Sequence, residues 1–143
     1  MKQKKNTGVT LLEVLIALFV LSVGLLGMAG LQLTGLKNSY SAQNRTEAAL
    51  QANNILERMR LNQAVAKAGG YDIDLADSAP GGPELVNQDL SEWLDNLASN
   101  LPSGDGQIET DAGTGVIVIT IQWDDSRGTS GSATQSFAMG SIL

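Results

Sequence analysis

Residues 4–21 read KKNTGVTLLEVLIALFVL, and the fold turns on how they are understood. A short basic stretch ends at Gly8, and an apolar run follows with one carboxylate, Glu13, near its start. From Val14 to Leu31 the run is interrupted only by Ser22 and by Gly24, Gly27 and Gly30. Its 18 residues reach the lower limit of about 17–25 for a helix that spans a bilayer. Lys2, Lys4 and Lys5 lie on one flank and no further lysine follows until Lys37. That asymmetry predicts a cytoplasmic N-terminus and an exported remainder. A secretory signal peptide is the plainer alternative, with Gly27-Met28-Ala29 as a small-x-small cleavage site and Gly30 as the new N-terminus. Glu13 argues against it, because it stands where a signal peptide should be apolar.

The helical character also continues past Ala29. Ala48, Ala52, Ile55, Leu56 and Met59 recur at i, i+4, i+7, i+8 and i+11, which is one face of a helix. Leu33, Leu36 and Tyr40 extend a similar stripe upstream, and no proline occurs before Pro80. Lys67 followed by Gly69-Gly70 marks the stop. One helix is therefore expected from about Thr10 to about Ala66, roughly 85 Å at the usual rise. A chain of 143 residues cannot cover so long an element, so its N-terminal half needs lipid, other copies or partners.

Composition narrows the chemistry. The chain has no cysteine and no histidine, so disulfides, thiolate metal sites and the commonest general base are excluded. Acid/base catalysis would need paired carboxylates in a cleft, and the acids concentrate in segments that read as loops. From Ala68 onward there are twelve acidic residues and one basic residue, Arg127, which is no footprint for nucleic acid. Asp72, Asp74 and Asp77 lack the spacing of a twelve-residue calcium loop and read as a solvated acidic loop. No cofactor and no metal are expected.

Downstream of that loop, Asp89 reads as an N-cap with Glu92 three residues on. Leu90, Trp93, Leu94, Leu97 and Leu101 then form the apolar face of a short helix at about 89–101, ended by Pro102. Ile117, Ile119, Ile121 and Trp123 alternate with Val116, Val118, Thr120 and Gln122, giving a strand at about 115–123. Asp124–Gly131 reads as the connection to a return strand at about 132–139, and Gln107–Asp111 as a short third strand. The expected fold is α+β: a long N-terminal helix carrying a small antiparallel sheet whose isoleucine face covers the helix.

Lys2–Gly8 followed by Val9-Thr10-Leu11-Leu12-Glu13-Val14 resembles the class III signal of type IV pilins and pseudopilins. That resemblance implies the type IV pilin fold. It also implies cleavage between Gly8 and Val9 by prepilin peptidase and methylation of Val9, which stands where the family usually has phenylalanine. Leu21–Leu33 (LSVGLLGMAGLQL) and Glu57-Arg58-Met59-Arg60 are similar to PilV-type minor pilins, as is Val118–Asp125 (VITIQWDD). The implied organisation is a leader at 1–8, a membrane or filament-core half of the helix at 9–36, an amphipathic half at 37–66 and a periplasmic head at 67–143. The implied partners are prepilin peptidase, the inner membrane, the major pilin, other minor pilins and a tip adhesin.

Glu13 has two readings. Thr10-x-x-Glu13 fits a capping box, in which Glu13 serves the helix start. In the family, the equivalent glutamate pairs with a neighbour's new α-amino group and registers incoming subunits. Gly24, Gly27 and Gly30 likewise mark either close helix packing through small residues or a weak point at which the family's helix loosens in the filament. At the level of the whole protein three functions stand: a minor pilin supporting pilus biogenesis, a minor pseudopilin of type II secretion, and a membrane-anchored periplasmic binding domain that works alone.

Overall fold

The computed structural model describes residues 10–111 and 113–143. Its elements, in chain order, are α1 (Leu11–Leu61), α2 (Gln63–Lys67), α3 (Leu85–Asn100), β1 (Asp105–Asp111), β2 (Val116–Trp123) and β3 (Gln135–Ile142). The described residues divide into two compact units between Leu36 and Lys37. In the first unit residues 11–36 are helix, and every described residue in it is exposed.

The second unit has one apolar core. Helix α1 contributes Ala48, Ala52, Ile55, Leu56 and Met59, the stripe expected from periodicity. Helix α3 adds Val86, Leu90, Trp93 and Leu97. The sheet adds Ile108 from β1 and Ile117, Ile119, Ile121 and Trp123 from β2, while the alternate residues of β2 face outward. Strand order is β1-β2-β3 with both pairs antiparallel, and Ile119 lies opposite Ile108 on one side and Met139 on the other.

Trp93 ties the three layers together. Its indole N–H donates to the Gln51 carbonyl of α1 at 3.1 Å. Its ring lies so close to β1 that a methyl group at Gly106 would fall 2.3 Å from ring carbon Cη2. Only glycine lets the strand backbone approach the indole this closely.

Four boundaries differ from the expectations above. The long helix breaks at Asn62 (φ −120°, ψ 46°), and α2 carries the chain on to Lys67. Asparagine's short amide competes with the backbone for hydrogen bonds, and here Asn62 Nδ2 reaches the Tyr71 hydroxyl at 3.4 Å. The glycine stop then forms a Schellman motif: Gly69 has φ +79°, Gly70 N–H donates to Val65 O and Gly69 N–H to Ala66 O.

Helix α3 starts at Leu85, not Asp89, so Val86 joins its apolar stripe one turn earlier. Its start is held by side chains reaching back, Asn87 to the Gly81 carbonyl (3.0 Å) and Gln88 to that of Pro83 (3.1 Å). An Asp-x-x-Glu spacing reads as a cap only from sequence; in the fold Asp89 lies inside the helix and has another role. The return strand starts at Gln135 and runs to Ile142, because Ser132 O accepts from Asp125 N–H at 2.8 Å and keeps Ala133 in the loop. The strand at Gln107–Asp111 is longer than expected and pairs from Asp105 onward.

Between β1 and β2 the Asp111 carboxylate accepts the N–H groups of Gly113 (2.8 Å) and Thr114 (3.3 Å). The Thr114 side chain first, then these N–H groups, hold that carboxyl below the usual range. Gly115 completes the turn at φ +70°.

Replacing Gly106 by alanine should lower the stability of the second unit by about 1–3 kcal/mol, because the new methyl group overpacks Trp93. Gly140→Ala on β3, where nothing lies within 4 Å of the added carbon, should change it by less than about 0.5 kcal/mol. Urea unfolding of the full chain in detergent, followed by tryptophan fluorescence, reads both.

Candidate functional site: the exposed apolar helix and its carboxylate

Helix α1 opens at Thr10. The Thr10 carbonyl accepts from Val14 N–H, and its hydroxyl Oγ1 accepts from Glu13 N–H at 3.3 Å. Half of the capping box is therefore present, and it is threonine that performs it. The Glu13 carboxylate has no hydrogen-bond or ion-pair partner among the described residues. Gly8 and Val9, the expected cleavage position, lie outside the described residues, as do Lys2, Lys4 and Lys5.

Beyond Glu13 the helix presents Leu, Ile, Val and Phe on all sides. Phe19 is 70% and Leu31 77% exposed. The most apolar 18-residue window of α1 has a mean hydropathy of 2.6, with none of it buried. Its hydroxyls are satisfied internally: Ser22 Oγ donates to the Leu18 carbonyl at 2.7 Å and Thr34 Oγ1 to that of Gly30 at 3.0 Å. A helix that satisfies its own hydroxyls and backbone is suited to a medium without water. Gly24, Gly27 and Gly30 stand in unbroken helix, and a side chain at any of them would meet nothing within 4 Å.

In the second unit the chemistry-bearing residues hold the fold. Asp89 is 8% exposed. Its carboxylate accepts from Arg58 Nη1 at 3.0 Å and from the Tyr71 hydroxyl at 2.8 Å, while Arg58 Nη1 also reaches Glu92 at 2.8 Å. Glu92, and then Asp89, raise the Arg58 pKa against the opposing pull of partial burial. Burial likewise pushes the Tyr71 phenol above its ordinary range; the Asn62 amide pulls it back and the Asp89 carboxylate adds to the rise.

Arg58 and Met59 belong to the Glu57–Arg60 segment. Its structural work is now visible: Met59 fills the core, Arg58 pairs with α3, and Arg60 pairs with Glu57 at 2.5 Å on the surface. Asp125, 4% exposed, accepts from the Ser41 hydroxyl of α1, and its carbonyl accepts from Gly128 N–H at 2.8 Å, so the β2–β3 loop is pinned to the helix.

Sequence reasoning missed both buried aspartates, reading Asp89 as a cap and Asp125 as part of the hairpin connection. The signal available for Asp89 was its place one residue before Leu90 and four before Trp93, inside an apolar stripe. Asp125 carried none.

Asp72, Asp74 and Asp77 line an open depression of about 360 Å³ with Glu109 and Thr110. Among the described residues no three His, Cys, Asp or Glu side chains converge on a point that could hold a metal ion.

The family described as the prokaryotic N-terminal methylation motif matches residues 3–29. No curated protein and no solved structure matches the chain. The match covers the basic leader, Glu13 and most of the apolar run, and leaves out the head. This class III signal supports a type IV pilin or pseudopilin in general and points to a structural protein rather than an enzyme. It implies processing by prepilin peptidase and a pilus-type assembly, and with the apolar helix it fits an anchor in the inner membrane. The long helix with an apolar stretch and the small three-stranded antiparallel sheet are the α+β fold of type IV pilins.

Two outcomes test the polar cluster. Arg58→Ala should destabilise the second unit by about 1–3 kcal/mol, since it leaves the Asp89 carboxylate buried with one donor fewer. The contribution of neutral Tyr71 is complete below the ordinary phenol value of about 10. It falls as pH rises from there through the higher folded-state value. Urea midpoints measured between pH 8 and 11 should therefore decline more steeply for the natural chain than for Tyr71→Phe.

Proposed function

We propose that the chain is a minor pilin of a type IV pilus, joining the filament or priming its tip, and so supporting pilus biogenesis, adhesion and twitching. The observation that carries this reading is the register of the signal: Gly8, then Glu13 five residues on, then an apolar helical stretch that is exposed throughout residues 14–36. The proposed organisation is a leader at 1–8, a membrane or filament-core segment at 9–36, an amphipathic segment at 37–66 and a periplasmic head at 67–143. Prepilin peptidase cleaves between Gly8 and Val9, and Val9 is methylated. The mature chain waits in the inner membrane, N-terminus cytoplasmic, for the major pilin, other minor pilins and a tip adhesin. A minor pseudopilin of type II secretion would carry the same signal; the resemblance of Leu21–Leu33 to PilV-type minor pilins favours the pilus.

Glu13 is the proposed assembly residue. Thr10 already accepts the Glu13 N–H, so the carboxylate is spare for another partner. A carboxylate entering an apolar filament core requires an opposite charge, and the new α-amino group of a neighbouring subunit supplies one. Gly24, Gly27 and Gly30, each about 1 kcal/mol less favourable in a helix than alanine, are the proposed points at which α1 loosens on assembly.

Two measurements decide the matter. Mass spectrometry of the membrane-bound protein should find Val9, methylated, as the N-terminus; Gly30 or Met1 there would refute the pilin reading. Glu13→Ala should reach the membrane at normal levels and be cleaved, yet be depleted at least tenfold from sheared pili. Losing one partner of a buried ion pair costs on the order of 3–5 kcal/mol. Glu13→Asp should be intermediate and Glu13→Gln as defective as alanine. Normal incorporation of Glu13→Gln would leave Glu13 with no role as a charge.

A further inference from the structure

The sheet has two edges, and they are built differently. On the β1 side, Ile73 and Ile108 exchange both backbone hydrogen bonds, at 3.1 and 2.9 Å, and β1 itself carries Asp105, Glu109 and Asp111. Charge and a local cover are ordinary means of keeping a sheet edge from pairing further. β3 has neither. Its eight residues, QSFAMGSI, include no charge and no proline, and all eight pair with β2. No described strand pairs with its other side.

The side chains indicate what a further strand would bring. Phe137 and Met139 face the core but are only partly buried, whereas their partners across the ladder, Ile121 and Ile119, are completely buried. A strand laid outside β3 with apolar residues on that face would finish covering them. The opposite face of β3 carries the small, exposed Ser136, Ala138 and Gly140 and ends at Ile142, which is 69% exposed.

A second copy fits this edge poorly. Residues 37–143 hold fourteen Asp or Glu against six Lys or Arg, so two heads repel each other.

We propose that the free edge of β3 accepts an extended strand from a different polypeptide within the assembly. That strand carries apolar residues at alternate positions, set beside Phe137 and Met139, and is neutral or basic overall. Backbone hydrogen bonds to the edge supply affinity and the alternate side chains supply selectivity. The inference rests on the minor-pilin reading for the existence of that assembly.

Amide hydrogen exchange on the full chain tests it, comparing the detergent-solubilised protein alone with the same protein in purified pili or minor-pilin complexes. In an antiparallel edge strand, alternate amides point away from the sheet. The expected result is that every second amide across Gln135–Ile142 slows at least tenfold in the assembly, while β1 amides change less than twofold. Uniform slowing of the whole sheet, or no change in β3 of incorporated protein, would overturn the inference and leave the pilin reading standing. Protection of the same amides in the isolated chain, together with a dimer mass by light scattering, would overturn the choice of partner. Absence of the chain from every assembly would overturn both.

Discussion

The protein is governed by an apolar helical segment that no described residue of its own chain covers. Every described residue from Thr10 to Leu36 is exposed, and burying apolar surface is worth about 25 cal/mol per Å². A segment of this size left in water would drive association without selectivity. Its hydroxyls are satisfied within the helix and its backbone needs no outside partner, so a bilayer or a bundle of like helices serves equally well as its surroundings. Moving between those two media is what a pilin-type subunit has to do. On the proposed reading, a single carboxylate near the start of such a segment distinguishes the two, because it has no counterpart in lipid tails and would have one in a neighbouring subunit.

The second unit solves a different problem, making a stable head from few large side chains. Trp93 and Trp123 supply much of the bulk, and Trp93 joins α1, α3 and β1 through one hydrogen bond and one close approach to a glycine. With no disulfide available, buried polar contacts add specificity. The Arg58–Asp89–Tyr71 cluster fixes α3 on α1, and Asp125 fixes the β2–β3 loop to Ser41. These groups show why strongly placed polar residues need not mark chemistry. Each is accounted for by a partner within the fold.

The same distinction bears on what a motif means. Glu57–Arg60 resembles a segment of PilV-type minor pilins, and the structure gives Arg58 and Met59 duties that any chain packing this helix against this α3 would need. Gly8, Glu13 and the apolar run are different. Nothing in the described structure uses the Glu13 carboxylate, which is why that residue bears the functional argument and Arg58 does not.

Much of this was legible without coordinates, for reasons of period and length. A run of apolar residues too long for a small core, a stripe at i, i+4, i+7 and i+11, and strict alternation through Ile117, Ile119 and Ile121 each encode a local geometry directly, so the α+β architecture follows from them. The tertiary structure alone decided the rest. Asp89 looks like a cap because capping is local, but its burial depends on Arg58 and Tyr71 arriving from distant positions. The break at Asn62 depends on Tyr71 in the same way, and the start of β3 depends on Ser132 meeting Asp125. Gly106 is indistinguishable from a turn glycine until the Trp93 ring lies against it. Sequence periodicity carries information about which face of an element is apolar; which polar group meets which is settled only when the elements pack.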